Sequence, residues 1–214
     1  MSSLLDFDKR FAIQKETAIL FGVDEAGRGP LAGPFVACAC CIAPNQCLYF
    51  EDVNDSKKLT HKKREEIFER MNQIGVLYGV GFASAQEIDK LNILQATFLA
   101  MRRASRKFYS ISCAVALVDG PHPITDFPLR QYPVVDGDAK SLNIAAASIV
   151  AKVLRDRYME VLDKLYPAYG FASHKGYGTL KHLAAIEQYG PCPEHRKTFA
   201  PLRERFTPSP SLFP

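Results

Sequence analysis

Apolar positions along the chain fall into two kinds of run. Continuous ones at 18–25, 35–42, 75–82, 114–119 and, more briefly, 132–135 predict strands, because a strand covered on both faces loses its polar alternation. Pro133 places the last at a sheet edge or a strand start. Between them lie stretches with helical periodicity and helix-terminal residues. Thr60 is placed to cap HKKREEIFERMNQ, and Ser84 with Glu87 forms a capping box. Asn92 heads ILQATFLAMRRASRKF, whose basic end suits the helix dipole. A long helix is predicted over 144–165. It opens on Ala145, Ala146, Ala147 and Ser148, small residues that let its backbone lie close to whatever it packs on. A last helix over 179–189 stops at Gly190-Pro191.

Strands dominate early and helices late, with helices interleaved, which predicts a mixed α/β layer domain followed by a small helical portion. The divisions expected are an extension over 1–17, a main domain over 18–165, a helical portion over 166–206 and a disordered Pro/Ser-rich tail, TPSPSLFP, over 207–214. The 214 residues suffice for one sizeable core, and 47% hydrophobic with 23% charged residues is ordinary for a soluble globular protein. No apolar stretch reaches the ~20 residues needed to span a bilayer. The N-terminus carries acids and has no uninterrupted apolar segment, so a cytoplasmic protein without a membrane partner is expected. A net charge of +4 permits a polyanionic partner without demanding one. Six cysteines include the run Cys38-Ala39-Cys40-Cys41 but no C-x-x-C spacing. They read as small buried hydrophobes, with Cys38 and Cys40 on one strand face and Cys41 on the other; zinc binding is the weaker alternative.

The acids at strand ends carry the chemistry. Asp24 and Glu25 end the first predicted strand, Asp119 ends the fourth, and Asp136 and Asp138 follow the fifth. Any one of them reads equally as turn chemistry. Together they suggest carboxylates that converge, and converging carboxylates repel, so they call for a cation. An oxygen-only set favours Mg²⁺ or Mn²⁺ over zinc. Adjacent strand residues point to opposite faces, so Asp24 and Glu25 share a site only if the strand bends or has ended there.

Three readings fit Gly27-Arg28-Gly29. A dinucleotide loop requires a helix next, yet the β-prone run at 35–42 follows. A tight turn carrying a solvated arginine is plausible locally. A nucleic-acid reader uses glycine amides that approach a ribose or phosphate with no Cβ between, beside a planar guanidinium fork. Basic clusters at Lys57-Lys58, Lys62-Lys63-Arg64, Arg102-Arg103 and Arg196-Lys197 suit such a partner, and equally suit solvated helix faces. The loop Ser173-His174-Lys175-Gly176-Tyr177-Gly178 offers a cation and an aromatic for stacking.

Six segments in this order, GVDEAGRGPLAGP (22–34), NDSKKL (54–59), LNIL (91–94), LVDG (117–120), GDAKSLNIAAASIVAKVLRD (137–156) and HKGY (174–177), resemble the ribonuclease HII family, over roughly 18–205. The resemblance implies a ribonuclease H-like mixed β-sheet flanked by helices, with a small C-terminal helical portion. It implies hydrolysis of the RNA strand of RNA–DNA hybrids and nicking 5′ to single ribonucleotides in duplex DNA, leaving 3′-hydroxyl and 5′-phosphate ends. It carries Asp24, Glu25, Asp119 and Asp138 over as catalytic metal ligands for Mg²⁺ or Mn²⁺. Gly27, Arg28 and Gly29 then recognise the 2′-hydroxyl, Tyr177 stacks on the neighbouring deoxyribose, and Lys57 and Lys175 contact phosphates.

One position departs from that family, where the residue before Gly137 is commonly basic and here is Asp136. The motif that follows still favours Asp138 as the ligand. Residues 208–212, SPSLF, share their last three residues with QLSLF-like peptides that bind bacterial sliding clamps, but lack the leading glutamine. The tail reads either as a weak clamp ligand or as a tail without a partner. A binding module without turnover, and more distantly a nucleotide-cofactor enzyme, are the rival functions.

Overall fold

The computed structural model describes residues 3–15, 19–53 and 58–206. Five strands form one sheet in the order β3-β2-β1-β4-β5. The strands are β1 (Ile19–Ala26), β2 (Phe35–Cys41), β3 (Leu77–Ala83), β4 (Ala114–Asp119) and β5 (Arg130–Val134). The central strand β1 pairs antiparallel with β2 and parallel with β4, and β5 pairs parallel with β4. Parallel pairing brings the carboxyl ends of β1 and β4 out side by side. The register Val23↔Val118 sets Asp24 level with Asp119. Pro133 lies in the edge strand β5, where a missing amide donor is tolerated.

Helices cover both faces. On one face Cys38 and Cys40 pack with Ile67 and Met71 of α2 (His61–Ile74) and with Ala146, Ile149 and Val150 of α5 (Leu142–Leu165). On the other, Ala37, Ala39 and Cys41 meet Ile88 of α3 (Ala85–Leu91) and Phe98, Met101 and Ala104 of α4 (Ile93–Ser105). The alternation expected of Cys38, Cys40 and Cys41 therefore holds. All six cysteines are thiols outside any disulfide, and five are buried; Cys113 alone is exposed. The start of α5 lies close to the sheet, and there it is Gly22 that makes the room. A Cβ on Gly22 of β1 would stand 2.2 Å from the Asn143 carbonyl carbon and the Ile144 nitrogen.

The predicted caps are present. Thr60, Ser84 and Asn92 each accept a backbone N–H of the helix they open, and Thr179, which the sequence reading placed inside its helix, caps that helix in the same way. The long helix starts two residues earlier than the pattern suggested, because Ser141 caps it by accepting the Ile144 N–H at 3.2 Å. Within the expected extension, Ser3–Lys15 forms a helix, α1. Leu4 and Leu5 join the core, and Asp8 accepts both the backbone and the side-chain N–H of Asn143 at 3.0 Å. Burial pushes the Asp8 carboxyl up to about 6. After α5, the short α6 (Phe171–His174), α7 (Leu180–Tyr189) and α8 (Leu202–Phe206) build a separate cluster around Met159, Leu162, Tyr169 and Phe171. No described helix is long and apolar enough to cross a membrane. Lys57, the rest of 54–57 and the tail at 207–214 lie outside the described residues.

Candidate active site

A cavity of about 310 Å³ opens at the carboxyl ends of β1 and β4, lined by Asp24, Glu25, Arg28, Asp119, Ser148 and Tyr177, among others. β1 neither bends away nor ends at the acid pair, since pairing with β2 continues to Ala26↔Val36. The acids share the cavity because β4 stops at Asp119, level with Asp24. Past that point Gly120 turns its N–H to Val134 O at 3.0 Å, and the β4 side of Glu25 is open. Asp24 is buried on the α5 side. Burial first, then the charges of Glu25 and Asp119, hold its carboxyl well above the usual range. The Glu25 N–H at 2.6 Å and the Ser148 hydroxyl act against that shift.

Asp119 Oδ1 accepts the Gly137 N–H at 2.7 Å, which ties the turn after β5 to the site. The next residue, Asp138, is buried, whereas Asp136 is exposed at a left-handed φ of 53°. Asp138 is thus one residue from the amide that Asp119 holds, and it is not among the residues that line the cavity.

The loop 27–34 runs from β1 straight into β2, with no helix for a dinucleotide phosphate to meet, which removes that reading. Two buried arginines hold it. Arg155 donates from Nε to Pro34 O at 3.1 Å and from Nη2 to Ala32 O at 3.3 Å and Lys175 O at 3.0 Å. Arg196 donates to Gly33 O from Nε at 3.1 Å and Nη2 at 2.9 Å, and from Nη1 to Arg28 O at 3.1 Å. Burial pushes Arg196 down to about 9 and lowers Arg155. Gly27 adopts φ 101°, and a Cβ there would stand 2.3 Å from Arg155 Nε. The Arg28 side chain is half-exposed, 3.7 Å from Glu25 Oε1. The half-exposed Tyr177 has its Cε1 3.7 Å from where a Gly29 Cβ would sit.

The structure therefore brings Asp24, Glu25, Asp119, Gly27, Arg28, Gly29 and Tyr177 to one cavity. It turns the Lys175 ammonium to Glu160 at 2.8 Å instead, on the outside of α5. The basic cluster at Arg196-Lys197 is corrected: Arg196 is fully buried, because its guanidinium makes three hydrogen bonds to the loop carbonyls of Gly33 and Arg28 instead of facing solvent. Arg155, Ser148 and Lys152 also line the cavity and were not singled out from the sequence. Their spacing of i, i+4 and i+7 marks one helix face, which is the signal that was available.

The donor set suits a hard divalent cation. Asp24 is a buried carboxylate facing two further acids, a cluster that a cation or a proton must neutralise, and no histidine lines the cavity. Among the described residues no group of three or more acids, histidines or cysteines is placed so as to hold a metal ion by itself. An open oxygen set of this kind leaves the rest of a hard divalent ion's shell to water and phosphate oxygens.

The ribonuclease HII family model matches residues 21–206. The chain is 50% identical over 202 residues to the ribonuclease HII of Syntrophotalea carbinolica, covering 94% of each. Among solved structures it is similar to the ribonuclease H2 of Pyrococcus horikoshii OT3, with a TM-score of 0.68 and 29% identity over 87% of this chain and 96% of that one. It is also similar to the ribonuclease HII of Archaeoglobus fulgidus, solved in complex with PCNA, with a TM-score of 0.68 and 25% identity over 85% of this chain and 95% of that one. The five-stranded mixed sheet flanked by helices is the ribonuclease H-like fold. By sequence and by fold, the chain belongs to the ribonuclease HII family of endonucleolytic hydrolases.

Proposed function

We propose that the chain cleaves the RNA strand of RNA–DNA hybrids and nicks duplex DNA 5′ to single ribonucleotides, with Mg²⁺ or Mn²⁺, leaving 3′-hydroxyl and 5′-phosphate ends. The observation that carries this reading is the shared cavity, where three acids from two strand ends face a glycine-arginine-glycine loop and an exposed tyrosine. Asp24, Glu25, Asp119 and Asp138 would hold the ion. A bound divalent ion lowers the pKa of a water nucleophile and stabilises the leaving oxygen. The remaining work falls to the chain. Gly27 and Gly29 let the backbone approach a ribose 2′-hydroxyl, the group that separates RNA from DNA. The Arg28 guanidinium reaches the same edge, with Glu25 fixing its direction. Tyr177 offers its ring to the neighbouring sugar. Arg64 and Lys152, which also line the cavity, supply positive charge toward the phosphates.

The test is strand cleavage of a DNA duplex holding one ribonucleotide, with Mg²⁺, Mn²⁺ or EDTA, beside an Asp24→Asn control. Metal-dependent nicking 5′ to the ribonucleotide, lost in the control, supports the reading. Binding without nicking in either ion replaces it with a binding module. Residues 208–212 are proposed as a weak sliding-clamp ligand, in keeping with the clamp-bound Archaeoglobus fulgidus relative. Clamp retention unchanged on deleting 207–214 disposes of that part.

A further inference from the structure

Beneath Tyr177 lies a buried histidine pair whose hydrogen bonds admit one arrangement. His182 and His195 are 0% and 1% exposed. The Cys192 N–H donates to His195 Nδ1 at 2.9 Å, so that nitrogen carries no proton and the His195 proton is on Nε2. His195 Nε2 faces His182 Nε2 at 3.1 Å. Two N–H groups cannot face each other there, so His182 accepts on Nε2 and carries its proton on Nδ1. That proton is donated to Tyr177 O at 2.9 Å, an oxygen that also accepts the Thr179 N–H at 2.8 Å. Burial pushes both histidines down to about 4, so both are neutral at ordinary pH, as the chain of bonds requires. Phe171 packs edge-on to His182, and Tyr169 lies against His195.

The residue after His195 is Arg196, whose guanidinium holds Arg28 O and Gly33 O and whose own N–H donates to Leu31 O at 2.8 Å. Two consecutive residues thus anchor opposite walls of the cavity. His195, through His182, anchors the Tyr177 turn, and Arg196 anchors the Arg28 loop. The walls also touch directly, since the Leu31 N–H donates to Gly176 O at 2.8 Å. We propose that His182 and His195 are positioning residues that set Tyr177 against the Gly27-Arg28-Gly29 loop and so set the preference for a single ribonucleotide over a continuous hybrid. This rests on the proposed contact of Tyr177 with the deoxyribose beside the ribonucleotide, a sugar that a continuous hybrid replaces with ribose.

The full-length enzyme is assayed for kcat/KM on a duplex with one ribonucleotide and on an RNA–DNA hybrid. His182→Phe keeps a ring against Phe171 and removes the donor; His182→Asn returns a donor near the Nδ1 position. His182→Phe is expected to lose about tenfold on the single-ribonucleotide duplex and under about threefold on the hybrid, with His182→Asn recovering most of the loss. In a Tyr177→Ala background, His182→Phe is expected to add nothing, because both changes act through one side chain. Equal losses on the two substrates, or additivity with Tyr177→Ala, overturn the proposal. Imidazole nitrogen NMR of the unsubstituted enzyme decides the relay independently of activity. A proton on His182 Nδ1 and on His195 Nε2 supports it, and any other tautomer pair overturns it even if the enzyme nicks as expected. If the enzyme does not nick, the substrate reading fails while the NMR result still stands. Should His182→Phe not fold, His195→Phe against His195→Gln, which returns a donor near Nε2, reads the same comparison.

Discussion

Alanine at Gly27 meets two separate obstacles, and other glycines of this chain separate them. The backbone at Gly27 has φ 101°, and its new Cβ would lie 2.3 Å from Arg155 Nε, 2.7 Å from Arg155 Cδ and 2.9 Å from Pro34 O. Arg155 cannot swing aside, because its guanidinium is buried and bonded to three loop carbonyls. Gly120 has φ 95° with nothing within 4 Å of a Cβ, so it carries the backbone cost alone. Left-handed backbone costs an alanine about 1–2 kcal/mol, offset by about 0.4–1 kcal/mol from a less flexible unfolded chain. Gly120→Ala should therefore lose on the order of 1 kcal/mol. Overpacking against a fixed neighbour adds about 1–3 kcal/mol, which puts Gly27→Ala at roughly 2–4 kcal/mol. For a chain of this size that lowers Tm by on the order of 10 °C. Gly29 lacks a left-handed φ, and its nearest neighbour would be 3.7 Å away, so Gly29→Ala should stay within about 0.5 kcal/mol of the parent. The assay is urea unfolding of the three variants, with Tm as a second reading. If Gly27→Ala unfolds no more easily than Gly120→Ala, Arg155 does not hold the loop as described. Gly29→Ala then gives the functional contrast: unchanged stability with reduced nicking at a ribonucleotide, since its methyl stands where the sugar must approach.

Two further outcomes follow from the acids and histidines. Asp138→Asn should nearly abolish cleavage while Asp136→Asn should not, because Asp138 is buried next to Gly137, whose N–H Asp119 holds, and Asp136 is exposed; equal losses in the strand-cleavage assay refute the assignment. Acid should weaken the fold through His182 and His195. Their folded values, near 4, lie below the unfolded 6.5, so the stability they contribute is complete above about pH 6.5 and is lost as pH falls toward 4, by at most about 3 kcal/mol each. Asp8, pushed up to about 6, acts in the opposite sense: its contribution is present below the unfolded 3.8 and is lost as pH rises through 6. Comparing the parent with His195→Gln between pH 4 and 7 isolates the histidine part; identical pH slopes would contradict buried neutral imidazoles.

What the sequence determined by itself is local. A cap is settled by a residue and the three that follow it, so Thr60, Ser84 and Asn92 were readable directly. The continuous apolar runs marked a sheet covered on both faces, and the acids at their ends marked its carboxyl edge. Asp24, Glu25, Asp119 and the Gly27-Arg28-Gly29 loop are legible because each sits where a run stops. The tertiary structure decided what depends on residues far apart in the chain. Arg196 looked like half of a basic patch until Gly33, 163 positions away, supplied the carbonyl that buries it. Helix α1 was hidden because its apolar stripe is broken by charge, and only Asn143, 135 positions on, gives Asp8 a reason to be inside. The union of Asp24 and Glu25 in one cavity needed the β1–β4 register, which ends the neighbouring strand at that level. The histidine pair had no signal in the sequence, because a tautomer is set by what lies within hydrogen-bond reach. Local preferences act through bonds between near neighbours and so repeat as patterns; burial and pairing belong to two surfaces at once, and neither stretch of sequence carries them alone.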